Sequence, residues 1–156
     1  MRRGKRLGVD VGEARVGVAQ CDPDAILATP VVTLRRNGSD IRRAVKIVRD
    51  EEIMEVIVGL PLNMDGTEGI SARHARMWAG KLARRIAPVQ VRLVDERLST
   101  VSAHAHLSAA GRDSRKHRSV VDQVAATVIL ETALEMERRT GEAPGELVAP
   151  EPERES

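Results

Sequence analysis

Phenylalanine and tyrosine are absent from this 156-residue chain, and Trp78 is its only aromatic side chain. Modules that read single-stranded nucleic acid stack successive bases on aromatic platforms, so the composition argues against that class. Cysteine is equally scarce. A lone Cys21 rules out an intramolecular disulfide and fits a reducing cytoplasm. A small strand residue is the role expected for it, with an intermolecular bridge left open. No apolar run is long enough to span a membrane, and the N-terminus lacks a signal-peptide pattern. The expectation is one cytoplasmic domain without a membrane partner, large enough to bury a core unaided by disulfides or structural metal.

Charge is abundant and uneven. Residues 141–156 carry five glutamates and one arginine, with prolines at 144, 150 and 152 and no apolar periodicity. That stretch reads as a disordered acidic tail appended to a 1–140 domain. Within 1–140, 24 basic residues face 18 acidic ones, a net charge of +6 that is compatible with a polyanionic partner. Arginine supplies 21 of the chain's 25 basic residues, which suits bidentate phosphate contacts. An arginine-rich codon usage would produce the same bias.

Hydrophobic periodicity lays out the elements. Arg6 to Gly12 alternates with period two, placing Leu7, Val9 and Val11 on one face and Gly8, Asp10 and Gly12 on the other. A turn at Gly12-Glu13 leads to a second strand over 14–20, and a third over 30–35 completes an antiparallel meander. Asn37-Gly38-Ser39 interrupts the chain, and Ser39 is placed to cap a helix reaching residue 52. Residues 55–61 form an almost wholly apolar strand, as in the buried middle of a sheet. A helix over 68–86 follows, with Ile70, His74, Met77, Trp78 and Leu82 on one stripe. A fifth strand spans 89–94, and helices are predicted over 99–110 and 120–139. Strand–helix–strand units require a parallel portion, so the fold class is α/β with a mixed five-stranded sheet and helices on its faces.

Three acids stand out. Asp10 is flanked on its own strand face by two glycines, which leaves room for a metal ion or a phosphate to approach the backbone. A polar residue beside a simple turn is the alternative. Asp95 and Glu96 close the fifth strand, where ligands of open α/β sheets gather, and strand parity allows just one of them to join Asp10. Either could instead favour the positive end of the following helix. Asp122 sits in the first turn of the last predicted helix, on a small-sided stripe with Ala125, Ala126, Ile129 and Ala133, and the helix dipole alone could account for it. If the acids converge, their oxygen donors suit Mg²⁺ or Mn²⁺ rather than zinc, and two such ions can clamp both oxygens of a phosphodiester displacement.

The combination has a relative. Gly8-Val-Asp-Val-Gly12 with Arg15-Val-Gly-Val-Ala19, Val58-Gly-Leu-Pro-Leu-Asn-Met-Asp-Gly66, Asp95-Glu-Arg-Leu-Ser-Thr100 and Val121-Asp-Gln-Val-Ala-Ala126 closely resemble the YqgF (RuvX) family. The match runs in family order from about residue 5 to 135. The resemblance implies a ribonuclease H-like fold and a cytoplasmic nuclease, acting on the 5′ end of pre-16S rRNA, on Holliday junctions, or on both. Carried over by motif, it makes Asp10, Glu96 and Asp122 the catalytic acids and metal ligands.

Candidate substrate contacts flank them: Arg15, Asn63, Arg97 and, from the basic run 111–118, Arg115, Lys116 and Arg118. A solvated loop explains that run as well. His117 ranks low as a proton shuttle, and His104 and His106 face different ways on a helix, which makes them poor metal partners. Arg97 could contact phosphate or pair with Asp95, and Asn63 could simply cap a turn. Junction cleavage would favour a homodimer. Two rivals remain on sequence grounds. One is an RNA-binding or scaffolding module with silent chemistry. The other is an actin-like or sugar-kinase phosphotransferase, whose Gly-Val-Asp-Val-Gly hairpin is similar but which needs a second large domain.

Overall fold

The computed structural model describes residues 1–98 and 114–152, with side chains described for 1–97 and 120–152. The helix predicted over 99–110 lies outside the described residues, as do the side chains of Arg115, Lys116 and Arg118.

The framework is a six-stranded mixed sheet: β1 (Arg6–Val11), β2 (Arg15–Cys21), β3 (Ala28–Arg35), β4 (Glu55–Leu60), β5 (Gln90–Asp95) and β6 (Glu146–Leu147), in the spatial order β3-β2-β1-β4-β5-β6. β1, β2 and β3 form the predicted antiparallel meander, while β1–β4 and β4–β5 are parallel. The expected count of five is corrected by β6, which pairs antiparallel with β5 through Leu147 opposite Arg92. This strand comes from the segment read as a disordered tail. It is anchored by Val148 N–H donating to Val91 O at 2.9 Å, by Glu151 N–H donating to Gly80 O at 3.0 Å, and by Arg76 gripping Glu146 at 2.6 Å. A two-residue strand shows no periodicity in sequence. What recruits it is the unpaired edge of β5.

The two faces of the sheet bury different layers. Leu7, Val9 and Val11 lie with Val16, Val18, Val56, Val58 and Leu93 beneath α1 (Asp40–Asp50) and α2 (Ile70–Ile86). Ile57 and Val94 face the opposite way and pack with Cys21 against Ile129, Leu130, Ala133 and Leu134 of α3 (Ser114–Thr140). Period-two alternation thus sorts one strand's side chains between two helical layers.

Three local expectations change. On α2 the buried stripe runs through Ala72, Ala75, Trp78, Ala79, Leu82, Ala83 and Ile86, whereas Ile70 and Met77 are 64% and 58% exposed. The helix turns its alanines to the sheet for close approach and accommodates bulk at Trp78, whose Nε1–H donates to buried Asp40 at 2.9 Å. Ser39 stands at the α1 N-cap without a side-chain cap bond; its hydroxyl donates to Asn37 Oδ1 at 2.6 Å, tightening the preceding turn. α3 begins at Ser114 rather than 120, so Asp122 lies in its third turn and dipole stabilisation at a helix start no longer explains it.

α3 sits unusually low on the sheet because glycines clear its path. A Cβ on Gly8 would lie 2.5 Å from Ala126 O, and one on Gly17 would collide with the backbone carbonyl of Asp122. The far end of α3 is fastened electrostatically: Glu137, 2% exposed, accepts from Arg6 Nη2 at 3.1 Å and from Arg2, and Arg2 also reaches buried Glu55 at 2.9 Å.

Candidate active site

Asp10 is the second-last residue of β1 and pairs with Gly17 across the hairpin, so its carboxyl projects on the α3 side where no strand side chain covers it. Glu96 arrives from the other direction. β5 ends at Asp95, opposite Leu60 of β4, and a short 3₁₀ turn over Glu96–Leu98 swings the next carboxyl back over the sheet. The floor beneath it is Gly59, where a Cβ would stand 3.2 Å from Glu96 Oε2 and 2.5 Å from Ile129 Cδ1. The Asp10 and Glu96 carboxyls meet in a hydrogen bond.

That meeting settles the parity question. Asp95 turns instead to Arg97, accepting from its backbone N–H at 2.9 Å and from Nη2 at 2.7 Å, and the guanidinium holds Asp95 below the usual carboxylate range. Arg97 in turn donates to Met64 O at 3.3 Å, tying the 63–67 loop to the end of β5. Asn63 does what a turn residue does: its side-chain amide donates to Thr67 Oγ1 at 2.9 Å and its carbonyl accepts from Gly66 N–H at 2.8 Å. The loop is therefore self-bonded and is held beside the end of β5 by Arg97.

Asp122 reaches the site from α3. Its Oδ2 accepts from Arg15 Nε at 2.8 Å, with the Asp122 side chain 17% exposed and Arg15 33% exposed. Both residues are candidates in the sequence, and their pairing is a product of the fold. The signal lay in the register: Arg15 and Gly17 share a strand face, so the helix seated on Gly17 presents Asp122 within reach of Arg15.

Three negative groups now bear on one position. Asp10 is pushed up to about 8, first by burial, then by the Glu96 charge and hydrogen bond, and last by Asp122. A carboxyl kept protonated near neutral pH by burial and by a neighbouring acid is a group that a positive charge at the same position would return to its ionised form. A divalent cation fits the donor set of Asp10 and Glu96: it can replace the shared proton, and all-oxygen coordination suits Mg²⁺ or Mn²⁺. Among the described residues, however, no three acidic, His or Cys side chains are gathered as a closed metal shell. Asp122 is held aside by Arg15.

A mixed sheet of this order with a long helix packed across one face is the ribonuclease H-like fold. Solved structures with the same fold include Thermus thermophilus RuvC in complex with a Holliday junction substrate, with a TM-score of 0.58 at 13% identity over 90% of this chain and 98% of that one. A second Thermus thermophilus RuvC structure gives 0.55 at 12% identity over 88% and 96%. The family model described as "RuvX: Holliday junction resolvase" matches residues 4–136, and the chain belongs to that family. Similar curated proteins come from Nocardioides sp., 54% identical over 95% of this chain and 98% of its own length, and from Thermobifida fusca, 55% identical over 95% and 98%. Another, from Mycobacteroides abscessus, is 51% identical over 89% and 86%. All three carry the name "Putative pre-16S rRNA nuclease".

Proposed function

We propose that this protein is a divalent-metal-dependent nuclease that hydrolyses phosphodiester bonds in structured nucleic acid, with the 5′ region of pre-16S rRNA as first substrate and branched DNA as second. The observation that carries the reading is the Asp10–Glu96 acid pair over Gly59, with Asp122, ion-paired to Arg15, near enough for its charge to act on Asp10. The relatives' names and the junction-bound neighbour support the substrate class.

Asp10 and Glu96 would hold Mg²⁺ or Mn²⁺, with Asp122 as the third ligand. When bound, the ion supplies Lewis-acid activation of water and neutralises charge on the transferring phosphate. The chain's own groups prepare this. Burial keeps Asp10 poised between its proton and a cation. Arg15 has an exchangeable partner: a backbone phosphate can draw the guanidinium from Asp122, which releases that carboxylate to the site as substrate arrives. Arg97 fixes the 63–67 loop at the edge, where a strand would pass. Arg115, Lys116 and Arg118 contribute sequence-independent phosphate attraction at the start of α3. The protein works in the cytoplasm, and no helix among the described residues is long and apolar enough to cross a membrane. A two-fold dimer would present two such sites to a junction.

Labelled pre-16S leader RNA and four-way DNA junctions, incubated with Mg²⁺, Mn²⁺ or EDTA, test the reading. Cleavage dependent on metal and lost in Asp10→Asn is the expected result. Tight binding without cleavage by the unmodified protein on every substrate would return the scaffolding module to first place.

A further inference from the structure

On the sheet face away from the acid pair, a cleft of about 570 Å³ opens between the start of α1 and the exposed side of α2. Its rim is formed by Arg36, His74, Lys81, Arg84 and Arg85. The four α2 members fall at i, i+7, i+10 and i+11, so they share one helical face. The floor is closed by Trp78 donating to Asp40, and the buried carboxylate is thereby occupied. Arg36 is the bridge to the other side: its Nη1 donates to Gly12 O at 3.1 Å, two residues beyond Asp10 in the chain. The basic cleft and the acid pair thus border the same hairpin.

We infer that this cleft is a second binding surface for the phosphate backbone of nucleic acid, taking the part of the substrate that has passed over the Gly12 hairpin from the acids. The inference rests on the nucleic-acid reading for the identity of its polyanion. Lys81, Arg84 and Arg85 fill one turn of α2, roughly 6 Å at the helical rise, which matches about two successive phosphates of one strand, and Arg36 adds a cation to the same cleft. Charge also marks the surface from the opposite sign: the acidic C-terminal segment, held by Glu151 N–H on Gly80 O at 3.0 Å, brings the Glu151 side chain to the cleft wall. Lining the same cleft as the cations, that carboxylate would oppose a phosphate entering it.

The test is fluorescence anisotropy of the full chain in EDTA with labelled four-way junction DNA and pre-16S leader RNA across a salt series. The variants are Lys81→Ala/Arg85→Ala, Glu151→Gln, and a control removing equal charge elsewhere, Lys46→Ala/Arg139→Ala. All five positions are on the surface or half-exposed, so the fold should survive, and circular dichroism checks it. The cleft double variant is expected to bind at least about tenfold more weakly at 0.1 M salt and to lower the salt slope by about 2, one phosphate contact per removed cation. Glu151→Gln is expected to tighten binding. Equal losses in the cleft variant and the control would overturn the inference, and so would an unchanged slope. Parallel cleavage assays separate the two ideas: cleavage with no cleft effect removes the cleft alone, whereas a cleft effect without cleavage removes the nuclease alone. A parent that binds neither probe overturns both.

Discussion

Metal binding at the acid pair should be read out as proton release. Asp10 is pushed up to about 8 and shares its proton with Glu96, so at pH 7 the protonated form outnumbers the ionised form by about ten to one. A cation that needs the carboxylate must displace that proton, and apparent affinity then rises about tenfold per pH unit below 8 and levels off above it. Between pH 6 and 8 the Mn²⁺ dissociation constant should fall by one to two orders of magnitude, on the order of 2 kcal/mol. Calorimetry at pH 7 in two buffers of different ionisation enthalpy should report close to one proton released per ion. The same shift sets the pH dependence of stability. The folded state favours protonated Asp10 over the unfolded value of 3.8, so this contribution is fully present below about pH 4 and is lost as pH rises through 8. Asp10→Asn should therefore be more stable than the parent at pH 7 without metal, by on the order of a few kcal/mol in urea denaturation, and should show no proton-linked Mn²⁺ binding. A pH-independent Mn²⁺ affinity, or a destabilised Asp10→Asn protein, would refute the reasoning.

Other outcomes follow from neighbouring geometry. Arg15→Ala frees Asp122, so Mn²⁺ should bind several-fold more tightly by calorimetry while anisotropy shows weaker nucleic-acid binding; both moving the same way would contradict the exchange. Gly17→Ala sets a methyl against the Asp122 carbonyl and should lower stability by about 1–3 kcal/mol or more in urea denaturation, with cleavage falling further than stability alone explains. Glu137→Ala leaves Arg6, 1% exposed, without its carboxylate and should cost about 3–5 kcal/mol, measurable by Trp78 fluorescence; a change under 1 kcal/mol would show the cluster to be dispensable.

The meander, the apolar β4 and the two-sided sheet were legible because burial imposes a strict period of two over several residues, and Leu7, Val9 and Val11 report it directly. Parity also narrowed Asp95 and Glu96 to one partner for Asp10, though which one needed the 3₁₀ turn after β5. Other features have no local signature. The buried face of α2 is set by alanines that hydrophobicity undervalues, and hydrophobicity alone turns Ile70 and Met77 inward, where the fold leaves them exposed. β6 owes its existence to an edge formed by residues more than fifty positions away. The early start of α3 runs through a basic stretch that composition presents as loop. The Arg15–Asp122 pair depends on how closely the helix descends, which the glycines permit but do not announce. The motif resemblance correctly gave the family and the fold. The roles of the three acids rest on their geometry and on the experiments above.

A crystal of the protein soaked in Mn²⁺ at pH 8 and measured at the manganese edge would test the central claim most directly. The account predicts an anomalous peak between the Asp10 and Glu96 carboxylates, with Asp122 turned from Arg15 toward it. Full manganese occupancy at other carboxylates with an empty, still hydrogen-bonded Asp10–Glu96 pair would contradict it.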